Sequence, residues 1–513
     1  MKLKFYLAAL IIVAAVSCQQ KDETTIEFDL TDIPEVLHIS VARIEGNSGK
    51  VLYIDSSETT IRKFTVKCDT VAENICYTVG LHLPIKGEGI TMMERKLFIK
   101  SGTTTKVSGA DVYASYWTIE SQNPEQAFQN TLNDSTRDIL KQMYQIVYKM
   151  QSSTDRNKHG AMTTQSRLLS NQLTAKKLEV MKTMPIDQYW IAELKNQSYT
   201  IRDREEGHPI CAIIEELYNM LPDSTKQSKD GRVIHAALHT KSPEIGDHII
   251  DYDLYDAQGG IHHLADYKGK WLLLDFSSYY CGACRIFTPT TKYLSERGNN
   301  NNFEIITIIG NTQSQFEEMA ATEKYISPLL HDQDENDGIF TIYKVSAYPT
   351  FFVVDPDGII TDRFMGADVA TIANLIQSHN GFASPKIQNE NDVKVIDNPS
   401  FSTIEGDLLI DRIEIYKDSV VISCADPIYG GYKITKGTGL FSNGKCISKI
   451  INSTVGYDIN TKVPSGEIGK CRLTFAPLPK GIKQFDLITG DSENCCHVIG
   501  VKIENQQIEN QQI

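Results

Sequence analysis

Apolar and polar positions follow two periods along this chain. From residue 24 to about 112 the apolar residues alternate in short runs: Val36-Leu-His-Ile-Ser-Val-Ala42, Gly49-Lys-Val-Leu-Tyr-Ile-Asp55, Lys63-Phe-Thr-Val66 and Arg95-Lys-Leu-Phe-Ile-Lys-Ser-Gly102. A period of two, rich in β-branched and aromatic residues, predicts a small N-terminal β-sandwich over 24–112. No polar cluster within it suggests catalysis, so a spacer or docking role is expected. Residues 123–225 change to helical spacing. Pro209 sits in a first turn and Ile210, Ile213, Ile214, Leu217 and Leu221 share one face. Met143, Tyr144, Ile146, Val147 and Met150 form a second stripe. Apolar stripes of this kind face a core, which makes 123–225 a helical connector rather than a cofactor box. The polar run 222–232 predicts a boundary. Alternation returns beyond residue 388, in Arg412-Ile-Glu-Ile-Tyr416, Ser419-Val-Val-Ile-Ser-Cys424 and Cys471-Arg-Leu-Thr-Phe475. A C-terminal β domain is expected over 390–503, followed by a frayed tail at 504–513, where a polar pentad is duplicated.

The strongest signal lies between these regions. Trp271-Leu-Leu-Leu-Asp275-Phe has the length and hydrophobicity of a strand buried on both faces, and Ile286, Phe287, Tyr293 and Leu294 mark a helix after Gly282. The junction reads Cys281-Gly-Ala-Cys284. Cys281 is thereby placed at a helix N-terminus, where unpaired amides and the helix dipole stabilise a thiolate. Cys284, one turn later, can attack a mixed disulfide formed by Cys281.

These residues resemble the thioredoxin superfamily, and more narrowly the TlpA/ResA-like thiol-disulfide oxidoreductases of bacterial envelopes. Asp275, six residues before Cys281, stands where the family carries a buried acid that moves protons to and from the second cysteine. Pro289 matches a proline that kinks the active-site helix. Tyr348-Pro349-Thr350 follows where the family places a cis-proline, and Phe351-Phe-Val-Val-Asp355-Pro-Asp-Gly358-Ile-Ile reads as strand, turn, strand. The resemblance implies that Tyr348 and Pro349 seat a substrate strand and that Tyr280 faces it. Glu244-Ile-Gly-Asp and Leu264-Ala-Asp-Tyr-Lys-Gly-Lys270-Trp look like the family's opening strands and first turn. The match spans 240–382, an α/β thioredoxin-like domain. The whole chain is then multidomain: N-terminal β-sandwich, helical connector, thioredoxin-like domain and C-terminal β domain.

Some positions depart from the family. Phe276-Ser277-Ser278 and Tyr280 replace its usual aromatic and Trp positions, and Gly-Ala replaces Gly-Pro between the cysteines. Residues between the cysteines set the potential, which runs from about −270 mV in reductants to about −120 mV in oxidants, so the direction of electron flow is left open. Other readings of the cysteine pair fit less well. A zinc site needs two further ligands, and His235-Ala-Ala-Leu-His239 lies far upstream in the wrong order. A peroxidatic cysteine would want Pro-x-x-x-Thr-x-x-Cys, but Leu274 and Ser278 hold those places. Asp332-Gln-Asp334-Glu-Asn336-Asp337-Gly338 lacks the Gly and Glu of a calcium loop, having Asp337 and Tyr343 instead. His262-His263 reads as a solvated turn. No metal and no cofactor beyond a redox-active Cys281–Cys284 disulfide is expected.

The amino terminus bears on compartment. Lys2 and Lys4 precede an apolar run from Phe5 to Val16, which fits the core of a signal peptide over 1–18. Ala15-Val16-Ser17-Cys18 resembles a lipobox, with Cys18 as the lipidated residue, and Gln19-Gln-Lys21-Asp22-Glu23 resembles the export signal of Bacteroidetes-type lipoproteins. A lipid anchor at Cys18 in the outer membrane, periplasmic or surface-exposed, follows from that resemblance. The formal charge of −14 over 513 residues argues against a nucleic-acid partner. Eight of the eleven cysteines stay unassigned and permit on the order of a hundred pairings; Cys68 with Cys76 is the one local pair expected. The expected partners are protein thiols or disulfides and an unidentified electron donor or acceptor. The competing reading is a lipid-anchored binding protein with a vestigial redox domain, whose thiols would keep an ordinary pKa of about 8.5.

Overall fold

The computed structural model describes residues 23–45, 48–68, 76–85, 88–152, 156–202, 208–298, 302–322, 327–366, 368–426, 432–458, 460–461, 467–490 and 495–504. Cys18 with its lipobox and nearly all of the 504–513 tail lie outside them. The chain divides into two compact units, Met1–Gln197 with Gly207–Leu221, and Ser198–Glu206 with Pro222–Ile513.

In the first unit, alternation builds two four-stranded sheets. One runs in the order Arg62–Lys67, Thr25–Thr31, Thr104–Ala110, Thr118–Glu120, and the other in the order Ser48–Asp55, His38–Glu45, Cys76–Ile85, Glu88–Phe98. Ile26, Phe28 and Leu30 point inward between exposed Glu27 and Asp29, and meet Ile39, Val41, Tyr77 and Val79 of the second sheet in one core. Arg62 is buried at the sheet end, where its guanidinium meets Asp55 at 2.9 Å. The expected Cys68–Cys76 bond is not formed: Cys68 follows a strand of the first sheet, whereas Cys76 opens a strand of the second. The long helices Pro124–Ser152 and Arg156–Met181, most of the helix Gln188–Tyr199 and the helix Pro209–Asn219 also belong to this unit, with Ile210, Ile214 and Leu217 buried.

The polar run 222–232 is not an open linker. It carries the short helix Asp223–Lys226 and the start of the helix Lys229–His239, because Ser228 caps the latter by accepting from the Gly231 amide. Glycine is needed there, since a Cβ on Gly231 would lie 2.1 Å from the Thr225 carbonyl oxygen.

The second unit is built on a seven-stranded sheet in the order Ile261–His262, Leu254–Tyr255, Leu329–His331, Phe303–Ile309, Trp271–Ser277, Thr350–Val354, Ile360–Met365. Trp271–Ser277 is central, parallel to Phe303–Ile309 and antiparallel to Thr350–Val354. Its pleat sends Leu273 to one face and Leu272, Leu274 and Phe276 to the other. On the second face lie Ile339, Phe340 and Tyr343. On the first face the helices Gly282–Glu296 and Val369–Ser378 contribute Phe287, Leu294, Ile372 and Ile376.

That first core does not stop at the helices. It continues into Ile396, Ile413, Ile422, Leu473 and Phe475 of the C-terminal strands, which form a ten-stranded antiparallel array, and into Phe401 of the connection between two of them. The C-terminal β region and the helix layer therefore bury a common apolar interior within this unit.

Candidate active site

The site is assembled at the carboxyl end of the central strand. Phe276 lies opposite Thr350 in the antiparallel pairing, so residues 277–281 and the Tyr348-Pro349 turn emerge at the same end of the sheet. The Tyr348–Pro349 peptide bond is cis. Pro349 is buried and its carbonyl accepts from the Gly366 amide at 3.0 Å. Tyr348 is half-buried, and burial pushes its phenol up to about 12, so it stays neutral at ordinary pH.

Cys281 caps the helix Gly282–Glu296. Its φ and ψ of −76° and 105° are extended, and its sulfur accepts from the Cys284 amide at 3.0 Å. Cys281 and Cys284 are joined in a disulfide with their Cα atoms 5.2 Å apart. The pair is asymmetric: Cys281 is half-exposed, whereas Cys284 is buried. A nucleophile coming from solvent reaches the Cys281 sulfur first and displaces Cys284 as the thiolate; when the mixed disulfide is resolved, the thiolate left at Cys281 sits on helix-end amides. Pro289 lies inside this helix, and Thr288 donates its hydroxyl to the Cys284 carbonyl at 3.1 Å.

Asp275 is buried on the central strand, opposite Thr307 on one side and Phe351 on the other. Thr307 donates to its Oδ2 at 3.2 Å, while Oδ1 is buried with no partner among the described residues. Desolvation pushes this carboxyl up to about 7, against the smaller opposing effect of the Thr307 hydrogen bond. A carboxyl that titrates near neutrality can both hold and release a proton. Ser277 and Ser278 are buried beyond it.

Tyr280 is half-buried, and its hydroxyl accepts from Gln315 Nε2. Its ring meets Tyr279 edge-on at 4.7 Å. The Tyr279 amide donates to Asn311 Oδ1 at 2.8 Å, which fixes the turn leading into Cys281. Thr307, Asn311 and Gln315 were not singled out in sequence. They come from the strand Phe303–Ile309, the turn after it and the helix Gln313–Thr322, and only the strand register brings them here.

Other polar clusters resolve as structural. Asp332 is buried and accepts from the Ile339 amide at 2.7 Å and the Asp334 amide at 3.0 Å. It thereby organises the acidic turn ahead of the short helix Ile339–Ile342. His262 and His263 are half-buried rather than solvated, and lie 2.9 Å from Asp256 and 3.2 Å from Asp251 respectively. Tyr199 and Arg202 were also missed: Tyr199 donates to Asp337, and Arg202 to Thr341 Oγ1 and, at 3.3 Å, to the Val345 carbonyl.

Comparison with known proteins agrees with this geometry. Residues 245–363 match the AhpC/TSA family. The chain is 27% identical over 146 residues to the thiol-disulfide oxidoreductase ResA of Geobacillus thermodenitrificans, covering 27% of this chain and 83% of that protein. It is 29% identical over 119 residues to the thioredoxin-like protein YneN of Bacillus subtilis, covering 23% and 68% of the two chains. Among solved structures, the thioredoxin domain of a thiol-disulfide oxidoreductase from Bacteroides vulgatus aligns over 26% of this chain and 99% of its own, at 22% identity and a TM-score of 0.25. The profile match, the two sequence relatives, the central-strand topology and the Cys281–Cys284 pair agree in assigning residues 245–363. Through that region the chain is similar to the TlpA/ResA-like thiol-disulfide oxidoreductases of the thioredoxin superfamily.

Proposed function

We propose that this protein is a thiol-disulfide oxidoreductase exchanging electrons between the Cys281–Cys284 dithiol and protein disulfides in the cell envelope. The observation that carries this reading is the disulfide between a half-exposed helix-capping cysteine and a buried cysteine one turn later. In the reducing direction the Cys281 thiolate attacks one sulfur of a substrate disulfide, forming a mixed disulfide and releasing one substrate thiolate. Asp275 takes the proton of Cys284, whose thiolate then attacks Cys281. This restores the Cys281–Cys284 bond and releases the second substrate thiolate. In the oxidising direction the same steps run backwards. Tyr348 and Pro349 would hold the substrate backbone beside Cys281, and Tyr280 would line the approach. No cofactor beyond the disulfide is invoked, and an electron donor or acceptor must reset it.

The location rests on sequence. Lys2 and Lys4, the apolar run to Val16 and Ala15-Val16-Ser17-Cys18 support export and a lipid anchor at Cys18 on the outer membrane. Radiolabelled palmitate incorporation that is lost in Cys18→Ser is the expected outcome; equal labelling of the variant would remove the anchor.

The catalytic reading is tested by insulin-disulfide reduction with dithiothreitol as electron source. Wild type should turn over, Cys281→Ser should fall to background, and Cys284→Ser should accumulate a mixed disulfide through Cys281. Turnover unchanged in Cys281→Ser would sink the assignment. Equilibration with glutathione then gives the potential, and so the direction of electron flow.

A further inference from the structure

We propose that Cys424 and Cys471 form a second disulfide in this protein, a buried cross-strand bond in the C-terminal β region made during oxidative folding. The two cysteines are register partners on the neighbouring antiparallel strands Val420–Asp426 and Gly469–Phe475. Residues directly opposite each other in such a pair have Cα atoms about 4.5 or about 5.5 Å apart, according to their place in the hydrogen-bond ladder. Both values fall within the range of about 4.4–6.8 Å that a disulfide spans. Strand alternation also aims the two side chains to one side. Cys424 follows Val420 and Ile422 on the buried face, and Cys471 precedes Leu473 and Phe475. These residues pair in the same register, Ile422 with Leu473 and Val420 with Phe475. Both cysteines are buried, and the two thiols are in hydrogen-bonding contact.

Cys496 is the competing partner, since it packs against the same core. It precedes the strand His497–Lys502, which is no ladder neighbour of either cysteine, and its sulfur crowds Gly406, lying 2.9 Å from where a Cβ there would sit. Direct opposition on paired strands therefore favours Cys424 with Cys471. The position has a structural use. Cys424 also lies opposite Ile410, whose carbonyl accepts from Arg297 Nη2 at 2.9 Å at the end of the dithiol-bearing helix. The bond would tie together the strands behind that contact.

Because the pair is buried, the bond must form while the chain is still folding. The oxidant is a small disulfide such as oxidised glutathione. One cysteine thiolate attacks it, forming a mixed disulfide and releasing one glutathione thiol. The second thiolate then displaces the other glutathione. The protein loses two protons and two electrons, and the oxidant gains them as two thiols.

The test uses the full chain, reduced and unfolded, then refolded in a glutathione redox buffer, with remaining thiols blocked by iodoacetamide before non-reducing proteolysis and mass spectrometry. The expected result is a linked peptide joining Cys424 to Cys471, beside the Cys281–Cys284 peptide that reports a folded redox site. Recovery of Cys424 and Cys471 both alkylated, with Cys281–Cys284 formed, would overturn the proposal; so would linkage of either to Cys496. Because the readout is bond mapping rather than turnover, it stands apart from the fate of the catalytic reading.

Discussion

Asp275 decides most of the chemistry at the scale of single residues. Its folded value of about 7 lies above the ordinary carboxylate value of about 3.9. Between those two pH values the folded chain keeps a proton that the unfolded chain has shed, so the stability of wild type falls as pH rises through that window and levels off above it. Asp275→Asn removes the effect. Denaturant titrations from pH 4 to 8 should show the variant gaining on wild type by on the order of 3–4 kcal/mol, while its insulin reduction slows as the proton transfer at Cys284 is lost. A flat difference across that range would show that the carboxyl is not buried as described. Thr307 provides a finer test. Its hydroxyl favours the ionised form, so Thr307→Val should raise the Asp275 value further and move the corresponding limb of the pH–rate profile to higher pH by about one unit or less. Cys281, Cys284 and Asp275 could be picked out in sequence because a short dithiol motif and an acid within a buried-strand pattern are local signals. Thr307, Asn311 and Gln315 could not, because strand pairing alone brings them to the site.

Among the elements, the helix Gly282–Glu296 carries the dithiol and is held at both ends. Its start is fixed by Cys281 as cap. Just beyond its other end, Arg297 is buried and donates to Asp411 at 2.7 Å and to the Tyr293 hydroxyl at 2.6 Å, while Tyr293 donates to Asp411. The Arg297 side chain is 7% exposed and that of Asp411 31%, so the guanidinium depends more on the pair than the carboxylate does. Asp411→Ala strands a buried cation, and should cost about 2–4 kcal/mol in urea denaturation, with Asp411→Asn costing less. Equal stability of the alanine variant would mean that solvent reaches Arg297. The helix itself was legible from its apolar spacing. Its anchor was not, because Asp411 lies more than a hundred residues downstream, in a strand that the pattern assigns to another region.

For the molecule as a whole, the shared interior sets what can fold alone. Leu273, Phe287, Ile372 and Ile376 belong to the same buried cluster as Ile396, Phe401, Ile413 and Phe475. A fragment limited to 240–382 would leave that face open to water. Such a fragment should aggregate or bind a hydrophobic dye, whereas one from 222 to 504 should unfold in a single calorimetric transition. Clean, cooperative unfolding of the short fragment would show that the helix layer closes its own core. From sequence alone came the alternation and spacing that mark strands and helices, the Cys-Gly-Ala-Cys dithiol with Asp275 before it and Pro349 after it, and the expectation of a thioredoxin-like region. All of these are written in residues close together along the chain or matched to a known pattern. Tertiary structure alone decided which oxygen of Asp275 is left without a partner among the described residues, which C-terminal strand holds the dithiol helix, that Cys68 follows a strand of one sheet while Cys76 opens a strand of another, and that Cys424 faces Cys471. Each of these depends on register and on contacts between distant segments, where periodicity carries no information about partners.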